Sequence, residues 1–355
     1  MAEGNAPPKG RGTGDNPENR YERLHVELDA TEDDAPEQPK VATVYYRDAS
    51  RTILAENDSP DIPFRFSLNP YRGCEHGCIY CYARPTHEYL SFSAGLDFET
   101  RILVKDDAPQ LLRAALSSPR WEPQVVSLSG NTDCYQPGER ALGLTRRCLE
   151  VFRDFRNPVG VITKSALVRR DVDVLQDLAR HDAVHVFLSV TSLEEELAGR
   201  MEPRAARPHR RLQAIETLAA AGVPVGVMIG PVIPGLNDSE IPAILAAAAD
   251  AGATSASWVL LRLPRPVDAL FAGWLERHYP ERQQRVLGRI RECRDGRISD
   301  SQFGRRQRGQ GVYAEHIGAL FRSAAKRHGL DRPLPPLSVA SFQRPPQAGD
   351  QMKLL

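Results

Sequence analysis

Asn-Pro-Tyr-Arg-Gly-Cys-Glu-His-Gly-Cys-Ile-Tyr-Cys-Tyr occupies residues 69–82 and contains three of the six cysteines of the chain. Cys74, Cys78 and Cys81 have the spacing C-x3-C-x2-C, and thiolates are soft ligands that suit iron–sulfur clusters and zinc. Two glycines within the stretch allow the backbone to turn tightly around a bulky metal group. Three thiolates in one loop can bind three irons of a cubane cluster and leave the fourth iron open. The stretch therefore predicts a local metal site with a free coordination position.

The competing interpretation is a structural zinc site formed by the three cysteines and His76. Zinc sites usually take two ligand pairs from separated segments, whereas this sequence has no second C-x2-C or C-x2-H pair. The other cysteines, Cys134, Cys148 and Cys293, are scattered, which is typical of reduced thiols rather than of a disulfide framework. A metal-binding protein without catalytic activity is therefore the remote alternative.

From residue 64 onward, short runs rich in Val, Ile and Leu alternate with amphipathic helical stretches. The six strand candidates are Phe64–Leu68, Val125–Ser129, Val159–Thr163, His185–Val190, Val223–Ile229 and Ser257–Leu261. Helices between the strands favour a parallel sheet, because parallel neighbours need crossover connections. The pattern predicts an α/β fold, either an open doubly wound sheet or an incomplete barrel.

The chain divides by composition into five segments. Proline, glycine and acidic residues dominate the first segment, which has too little apolar surface to offset the entropy of ordering. Helical periodicity replaces the strand pattern after residue 264, and prolines recur near the C-terminus. We expect a disordered arm over residues 1–40, a lead-in segment over 41–60, a core over 61–265, a helical extension over 266–328 and an irregular tail over 329–355.

The 46 basic and 46 acidic side chains balance, so the protein has no global field that attracts polyanions. Any affinity for nucleic acid must come from a local patch, such as the loop that carries Arg305, Arg306 and Arg308. The sequence has no secretory signal pattern, and no apolar run reaches the roughly 18 residues that a bilayer requires. We expect a cytoplasmic protein without a membrane partner.

The cysteine spacing, with Tyr80 directly before the third cysteine, resembles the radical S-adenosylmethionine (SAM) superfamily. The longer context resembles its spore-photoproduct-lyase-like branch, often labelled DNA repair photolyase. That context comprises Asn-Pro-Tyr-Arg-Gly-Cys in the cysteine stretch, Ser129-Gly-Asn-Thr-Asp133 after the second strand and Thr163-Lys164 after the third. The resemblance covers residues 60–325. It implies a partial (β/α)6 TIM-like barrel with its site at the C-terminal ends of the strands.

The same resemblance implies two cofactors, a four-iron four-sulfur (4Fe-4S) cluster on the three cysteines and S-adenosyl-L-methionine on its open iron. The residues that it implies for SAM binding are Tyr80, Ser129, Gly130, Asn131, Asp133, Lys164, Ser189, Thr191, Arg204 and Gly230. The loop after the second strand is expected to meet the methionine amino group, and the lysine or the arginine its carboxylate. The hydroxyls are expected to meet the ribose, with the tyrosine and the last glycine near the adenine. The structural alternatives are strand-end turns, hydroxyls bonded to backbone and solvated basic side chains.

Cys134 is the candidate catalytic residue. In photoproduct lyase a cysteine near the second-strand loop returns a hydrogen atom to the product, and that position falls on Gly130 in this chain. Cys134 follows shortly after it, where a buried inert thiol is the alternative interpretation. This departure from the pattern leaves open whether the chain reverses a photoproduct.

The resemblance also implies the reaction. One electron from a flavodoxin- or ferredoxin-like reductant would cleave SAM to methionine and a 5′-deoxyadenosyl radical, which abstracts hydrogen from an unidentified substrate. A nucleic-acid base is the first hypothesis, because of the branch and the arginine-rich loop. A peptide or small metabolite is the second, because the net charge is zero and the donor cysteine position differs.

Overall fold

The computed structural model describes residues 6–21 and 41–346, and these ranges contain ten strands and eleven α-helices. The strands are β1 (Val44–Arg47), β2 (Leu54–Glu56), β3 (Phe66–Leu68), β4 (Tyr71–Arg72), β5 (Arg101–Val104), β6 (Val126–Leu128), β7 (Val159–Thr163), β8 (Val184–Ser189), β9 (Val225–Val232) and β10 (Ser255–Leu260). The helices are α1 (Leu96–Thr100), α2 (Ala108–Ser117), α3 (Glu139–Leu142), α4 (Leu144–Phe155), α5 (Val172–Ala179), α6 (Glu195–Met201), α7 (Pro208–Ala220), α8 (Ile241–Asp250), α9 (Val267–His278), α10 (Pro280–Glu292) and α11 (Gly311–Arg327). Short 3₁₀ helices cover Arg84–Leu90, Ala166–Asp171 and Asp238–Glu240.

The main sheet consists of six parallel strands, with β2 added antiparallel to β3 at one edge. Its order is β10-β9-β8-β7-β6-β3-β2, so the parallel strands follow one another in chain order. Val159 of β7 lies opposite Val126 of β6 on one side and Val184 of β8 on the other. A doubly wound sheet reverses its strand order at a switch point, and this sheet does not. The partial (β/α)6 TIM-like barrel is therefore confirmed, with β10 and β2 as its open edges.

The parallel strands are largely buried on both faces, which explains their Val- and Ile-rich sequences. Val159 and Val161 of β7 are fully buried in one core with Leu149 and Phe152 of α4. Fully burying one such side chain contributes about 1.5–3 kcal/mol. Because this core fixes the strands in register, their C-terminal ends meet along one rim of the barrel.

The lead-in segment expected over residues 41–60 joins two sheets. It supplies β2 to the main sheet and β1 to a smaller sheet of order β1-β5-β4. Strand β4 ends at Arg72, directly before the cysteine loop. The smaller sheet therefore supports the start of that loop.

The helical extension expected over residues 266–328 contains α9, α10 and α11. Phe271 and Trp274 of α9 form a second hydrophobic core with Ile79 and Tyr80 of the cysteine loop. The extension therefore packs against the loop as well as against the barrel. Among the helices of the described residues, none is both long enough and apolar enough to cross a membrane.

Residues 6–21 pack against the folded core, in contrast to the disordered arm that composition predicts. Gly12 is buried, and its amide donates to Oε2 of Glu99 at 2.8 Å. This segment is ordered mainly by polar contacts of its backbone and side chains rather than by burial of apolar side chains, which is why its composition misleads. Residues 1–5 and 22–40 of the expected arm lie outside the described residues.

The tail expected to be irregular has no helix or strand over residues 331–346. It is nonetheless anchored, because Leu334 is buried and the Phe342 ring centroid lies 6.3 Å from that of Phe155. The amide of Gln343 donates to the Phe155 carbonyl at 2.9 Å. Residues 347–355 lie outside the described part of the chain.

Candidate functional site

The cysteine loop begins beyond the C-terminal end of β3, at the rim of the barrel. Gly73 (φ 81°) and Gly77 (φ 66°) lie on either side of the first thiol, in left-handed conformations that favour glycine. A β-carbon at Gly73 would lie 2.9 Å from Cε1 of His87. The amide of Cys74 donates to the carbonyl of Phe98 at 2.9 Å. These contacts fix the turn that carries the first two thiols.

The three thiols of the loop are largely shielded from solvent. Cys74 and Cys78 are almost fully buried, and Cys81 is half-buried. Burial raises the pKa of all three thiols, so thiolates here need a bound cation to compensate their charge. Within the described residues, no three His, Cys, Asp or Glu side chains converge on the position of a single metal ion.

His76, the fourth ligand that a zinc site would need, is bound to another group. Its Nδ1 lies 3.4 Å from Oδ2 of Asp133. Both oxygens of that carboxylate are engaged, Oδ1 by the hydroxyl of Thr163 at 2.7 Å and Oδ2 by the amide of Lys164 at 2.8 Å. Although burial raises the pKa of Asp133, His76 and these hydrogen bonds lower it to about 2. Asp133 is therefore ionised and orders the rim, and it is not free to pair with a ligand ammonium as the sequence suggested.

A buried ion pair that the sequence reading missed lies behind the cysteine loop. Arg84 and Glu99 are both fully buried, and Nη2 of the arginine lies 2.6 Å from Oε1 of the glutamate. The same guanidinium donates to the carbonyls of Gly77, Cys78 and Gly95, at 3.3, 3.0 and 2.8 Å. The pair therefore holds the backbone on both sides of the second thiol.

Residues from three neighbouring strands meet at the ammonium of Lys164, which lies beside the ring of Tyr80. Nζ of Lys164, which follows β7, donates to Oγ of Ser189 in β8 and to the carbonyl of Gly230 in β9, both at 2.9 Å. The same ammonium lies 5.8 Å from the centroid of the Tyr80 ring, within range of a cation–π interaction. Four of the residues implied for SAM binding are thus brought together, next to the third cysteine in the chain.

A second buried ion pair, Arg211 with Glu202, lies behind Tyr80. The carboxylate accepts hydrogen bonds from the hydroxyls of Tyr80 and Thr191, the latter at 2.6 Å. Nη1 of the arginine donates to the carbonyl of Ser189 at 2.9 Å. Although burial raises the pKa of Glu202, the charges of Arg211 and of the nearby lysine, together with these hydroxyls, lower it. Sequence reasoning missed Glu202, because a glutamate that directly follows a short helix carries no local signal.

The loop after β6 is tied to the cysteine stretch. Ser129 has a φ of 80°, and its hydroxyl makes its hydrogen bonds within the loop. The amide of Asn131 donates to Oδ1 of Asn69 at 2.9 Å. The carbonyl of Gly130 accepts from the hydroxyl of Tyr82 at 2.9 Å. The loop therefore lies beside the residue that follows the third cysteine.

Two of the residues implied by resemblance lie elsewhere. Cys134 is fully buried in the main hydrophobic core, where burial raises the pKa of its thiol. This surrounding is typical of an inert thiol, so the structure gives no support to a hydrogen-donating role. A guanidinium nitrogen of Arg204 lies 2.8 Å from Oε2 of Glu75 and 3.1 Å from Oγ1 of Thr43. Arg204 therefore supports a residue of the cysteine loop, and its guanidinium is paired within the protein rather than free for the methionine carboxylate.

The arginine-rich loop over residues 304–309 is bound to the protein itself. Nε of Arg306 lies 2.6 Å from Oδ2 of Asp61. Arg308 donates to the carbonyl of Trp258 at 2.5 Å and lies over its ring at 4.7 Å from the centroid. These guanidinium groups stabilise the fold, so the loop is not a free phosphate-binding patch.

Comparisons with known proteins agree with this geometry. A family model described as the Radical SAM superfamily matches residues 68–248. An uncharacterised protein of Mycobacterium tuberculosis is 38% identical over 233 residues, which are 65% of this chain and 67% of that protein. Another from Methanocaldococcus jannaschii is 29% identical over 176 residues, 50% of this chain and 63% of that protein.

Solved structures of spore photoproduct lyase share the fold. The lyase complexed with dinucleoside spore photoproduct has a TM-score of 0.53 and 16% identity over 81% of this chain and 79% of that one. A variant with bound AdoMet and dinucleoside spore photoproduct has a TM-score of 0.52 and 16% identity over 81% and 78%. The family implies a 4Fe-4S cluster and SAM. The chain belongs to the radical SAM superfamily, and its fold is that of spore photoproduct lyase.

Proposed function

We propose that this chain reductively cleaves S-adenosylmethionine at a 4Fe-4S cluster bound by Cys74, Cys78 and Cys81. The observation that supports this most directly is the contact between the cysteine loop and the strand ends, where Lys164 is bonded to Ser189 and Gly230. The cluster, when bound, supplies the electron that breaks the S–C5′ bond of SAM, giving methionine and a 5′-deoxyadenosyl radical. Family membership makes the protein an enzyme of radical chemistry.

The residues of the rim have complementary parts in this proposal. The ammonium of Lys164 offers a positive charge to the methionine carboxylate, at the point where strands β7, β8 and β9 end. Ser189 and Thr191 would bind the ribose, and Gly230 with Tyr80 would bind the adenine. The loop that contains Ser129, Gly130 and Asn131 would bind the methionine amino group through its backbone. Fixed polar groups of this kind orient the cosubstrate before reaction, which contributes to the rate by proximity.

The substrate that we propose is a nucleic-acid base. The fold likeness to lyases that hold dinucleoside spore photoproduct supports this proposal. So does the guanidinium of Arg262, which follows β10 and lies 5.3 Å from the centroid of the half-exposed Tyr82 ring. An aromatic ring paired with a guanidinium suits a planar base and its phosphate. A peptide or small metabolite is the second candidate, favoured by the zero net charge and by the buried Cys134.

The first experiment is anaerobic reconstitution followed by reduction with dithionite and assay of 5′-deoxyadenosine. We expect product from the wild type and from Cys293→Ala, which removes a buried thiol outside the loop. We expect none from Cys81→Ala. A wild-type protein with a confirmed four-iron cluster that makes no product, with or without oligonucleotides and peptides, would contradict the proposal. Replacing dithionite by reduced flavodoxin or ferredoxin then tests the proposed electron donor.

The substrate proposal is tested with Arg262→Ala. Oligonucleotides and dinucleoside spore photoproduct should stimulate 5′-deoxyadenosine formation by the wild type, and the variant should lose this stimulation while keeping its uncoupled rate. Binding of oligonucleotides should also weaken with salt, because phosphate contacts release counterions. Stimulation by peptides alone would favour the second candidate.

A further inference from the structure

Residues 6–21, here named the N-terminal strap, lie directly against the cysteine loop. A β-carbon at Gly12 would lie 2.0 Å from the carbonyl oxygen of Gly77, the residue that precedes the second thiol. The amide of Gly12 donates to Oε2 of Glu99 at 2.8 Å, and Nη1 of Arg11 donates to the Glu99 carbonyl at 2.9 Å. Only glycine fits an approach this close, so the contact is specific to this residue.

The strap also caps helix α1, which packs under the cysteine loop. The carbonyl of Asp15 accepts from the amide of Leu96 at 2.9 Å, and Oδ1 of Asn16 accepts from the amide of Asp97 at 3.0 Å. These amides belong to the first turn of the helix, which has no acceptors of its own. Gly95 precedes the helix, and a β-carbon there would lie 1.9 Å from the Asp15 carbonyl oxygen. The strap therefore supplies the cap that the helix sequence lacks.

The C-terminal part of the strap is bound to the 3₁₀ helix Arg84–Leu90. Nδ2 of Asn19 donates to the carbonyl of Glu88 at 2.9 Å. The guanidinium of Arg20 pairs with the Glu88 carboxylate, which is buried. The rings of Tyr21 and Tyr89 stack with their centroids 5.0 Å apart. The strap thus contacts the loop, the helix α1 and the 3₁₀ helix that carries Arg84.

We propose that the N-terminal strap is a positioning element for the iron–sulfur cluster, and that it determines how firmly the cluster is retained. The inference rests on the proposed cluster at Cys74, Cys78 and Cys81. Glu99 connects the strap to the cysteine loop, because one carboxylate oxygen accepts from Arg84 and the other from the amide of Gly12. Displacing the strap leaves a buried acceptor without its partner, which costs free energy. The loop backbone then relaxes around the second thiol, and the cluster is released faster.

The test is iron release from the anaerobically reconstituted full-length protein to the chelator ferrozine. Gly12→Ala and Gly95→Ala place a methyl group on the contact from the strap side and from the core side, respectively. Gly160→Ala adds the same group where no atom lies within 4 Å. We expect release to be about tenfold faster in the first two, about 1.4 kcal/mol in the barrier. The control should match the wild type.

A variant destabilised elsewhere separates positioning from a general loss of stability. Leu178→Ala removes a fully buried side chain of α5 and should lower the Tm while leaving the strap in place. Its iron release and the electron paramagnetic resonance spectrum of its reduced cluster should match the wild type, whereas the strap variants should change both. If Gly12→Ala does not fold, Asn16→Ala removes only the two exposed hydrogen bonds between the strap and Asp97, and serves the same purpose.

Two outcomes overturn the inference while the proposed function stands. One is wild-type iron release in a strap variant that carries its full cluster. The other is release from Leu178→Ala that is as fast as from the strap variants. A wild-type protein that binds no cluster overturns the proposed function instead, so the two failures are distinguishable.

Discussion

Two buried arginine–glutamate pairs support the site, and they support different parts of it. Arg84 and Glu99 lie behind the cysteine loop, where the guanidinium donates to backbone carbonyls. Arg211 and Glu202 lie behind the strand ends, where the carboxylate accepts from side-chain hydroxyls, including that of Tyr80. The first pair therefore fixes the path of the chain, and the second fixes side chains that face the proposed cosubstrate.

The two carboxylates differ in their electrostatic surroundings. Burial raises the pKa of Glu99, because the loss of hydration outweighs the attraction of Arg84. Burial acts on Glu202 in the same direction, but Arg211 and Lys164 outweigh it and lower the pKa. Two cations near one carboxylate leave a positive excess at the strand ends, which suits an anionic group of a ligand. Glu99 also lies near two cations, Arg84 and Arg11, but the loss of hydration outweighs the attraction of both.

Breaking the first pair should have the largest effect. Arg84→Met leaves the charge of Glu99 buried without its partner, which costs about 3–5 kcal/mol of unfolding free energy. We expect this loss in urea unfolding of the cluster-free protein, and no iron after reconstitution. The double variant Arg84→Met, Glu99→Met should recover part of the stability, because it leaves no uncompensated charge. A loss below about 1 kcal/mol in the single variant would show that the pair does not support the loop.

Lowering the pH should destabilise the fold around the cysteine loop, because His87 is then protonated. Burial lowers the pKa of this imidazole to about 4, so between about pH 6.5 and pH 4 the unfolded chain binds a proton that the folded chain does not. The contribution of the neutral imidazole to the free energy of unfolding is fully present above about pH 6.5. It is lost as the pH falls, and the free energy of unfolding is lower by up to about 3 kcal/mol at pH 4. His87→Leu should flatten this part of the profile of unfolding free energy against pH. Gly160→Ala, which removes no titratable group and adds a methyl group where no atom lies within 4 Å, should leave the profile unchanged. Equal slopes in all three proteins would contradict the assignment.

Weakening the second pair should lower the affinity for SAM and leave the iron content unchanged. Glu202→Gln removes the charge and places an amide donor against Arg211, which disturbs the hydroxyls of Tyr80 and Thr191. We expect full iron content and a Kd for SAM about tenfold higher, or about 1.4 kcal/mol, in anaerobic calorimetry. Glu75→Gln is the matched control, since this buried carboxylate belongs to the cysteine loop. Iron loss in Glu202→Gln with an unchanged Kd would show that the second pair supports the cluster rather than SAM binding.

The strands could be predicted from the sequence because their signal is local. Buried parallel strands need Val, Ile and Leu on both faces, and the six predicted runs overlap the six parallel strands. The largest difference at a strand end is in β9, whose end is predicted at Ile229 because Gly230 and Pro231 resemble a strand break. The strand continues to Val232, which pairs with Leu260.

The supporting residues could not be predicted because their partners are distant in sequence. Tyr80 and Glu202 are separated by 122 positions, and Gly12 and Glu99 by 87. The cysteines were found because their spacing is itself the chemical requirement. Arg84 has no such spacing, and its role comes only from the carbonyls that the fold brings around it.

Tyr80→Phe is the smallest change, and it tests most directly how the two pairs differ. It keeps the ring that faces the ammonium of Lys164 and removes one hydroxyl, while Glu202 keeps Arg211 and Thr191 as partners. A single hydrogen bond of this kind contributes about 1 kcal/mol, so we expect unchanged iron content and a Kd for SAM raised by less than in Glu202→Gln. If the Kd rises more in Tyr80→Phe than in Glu202→Gln, the hydroxyl itself contacts SAM. The second pair would then serve only to hold Tyr80 in place, and both pairs would be structural supports of the same kind.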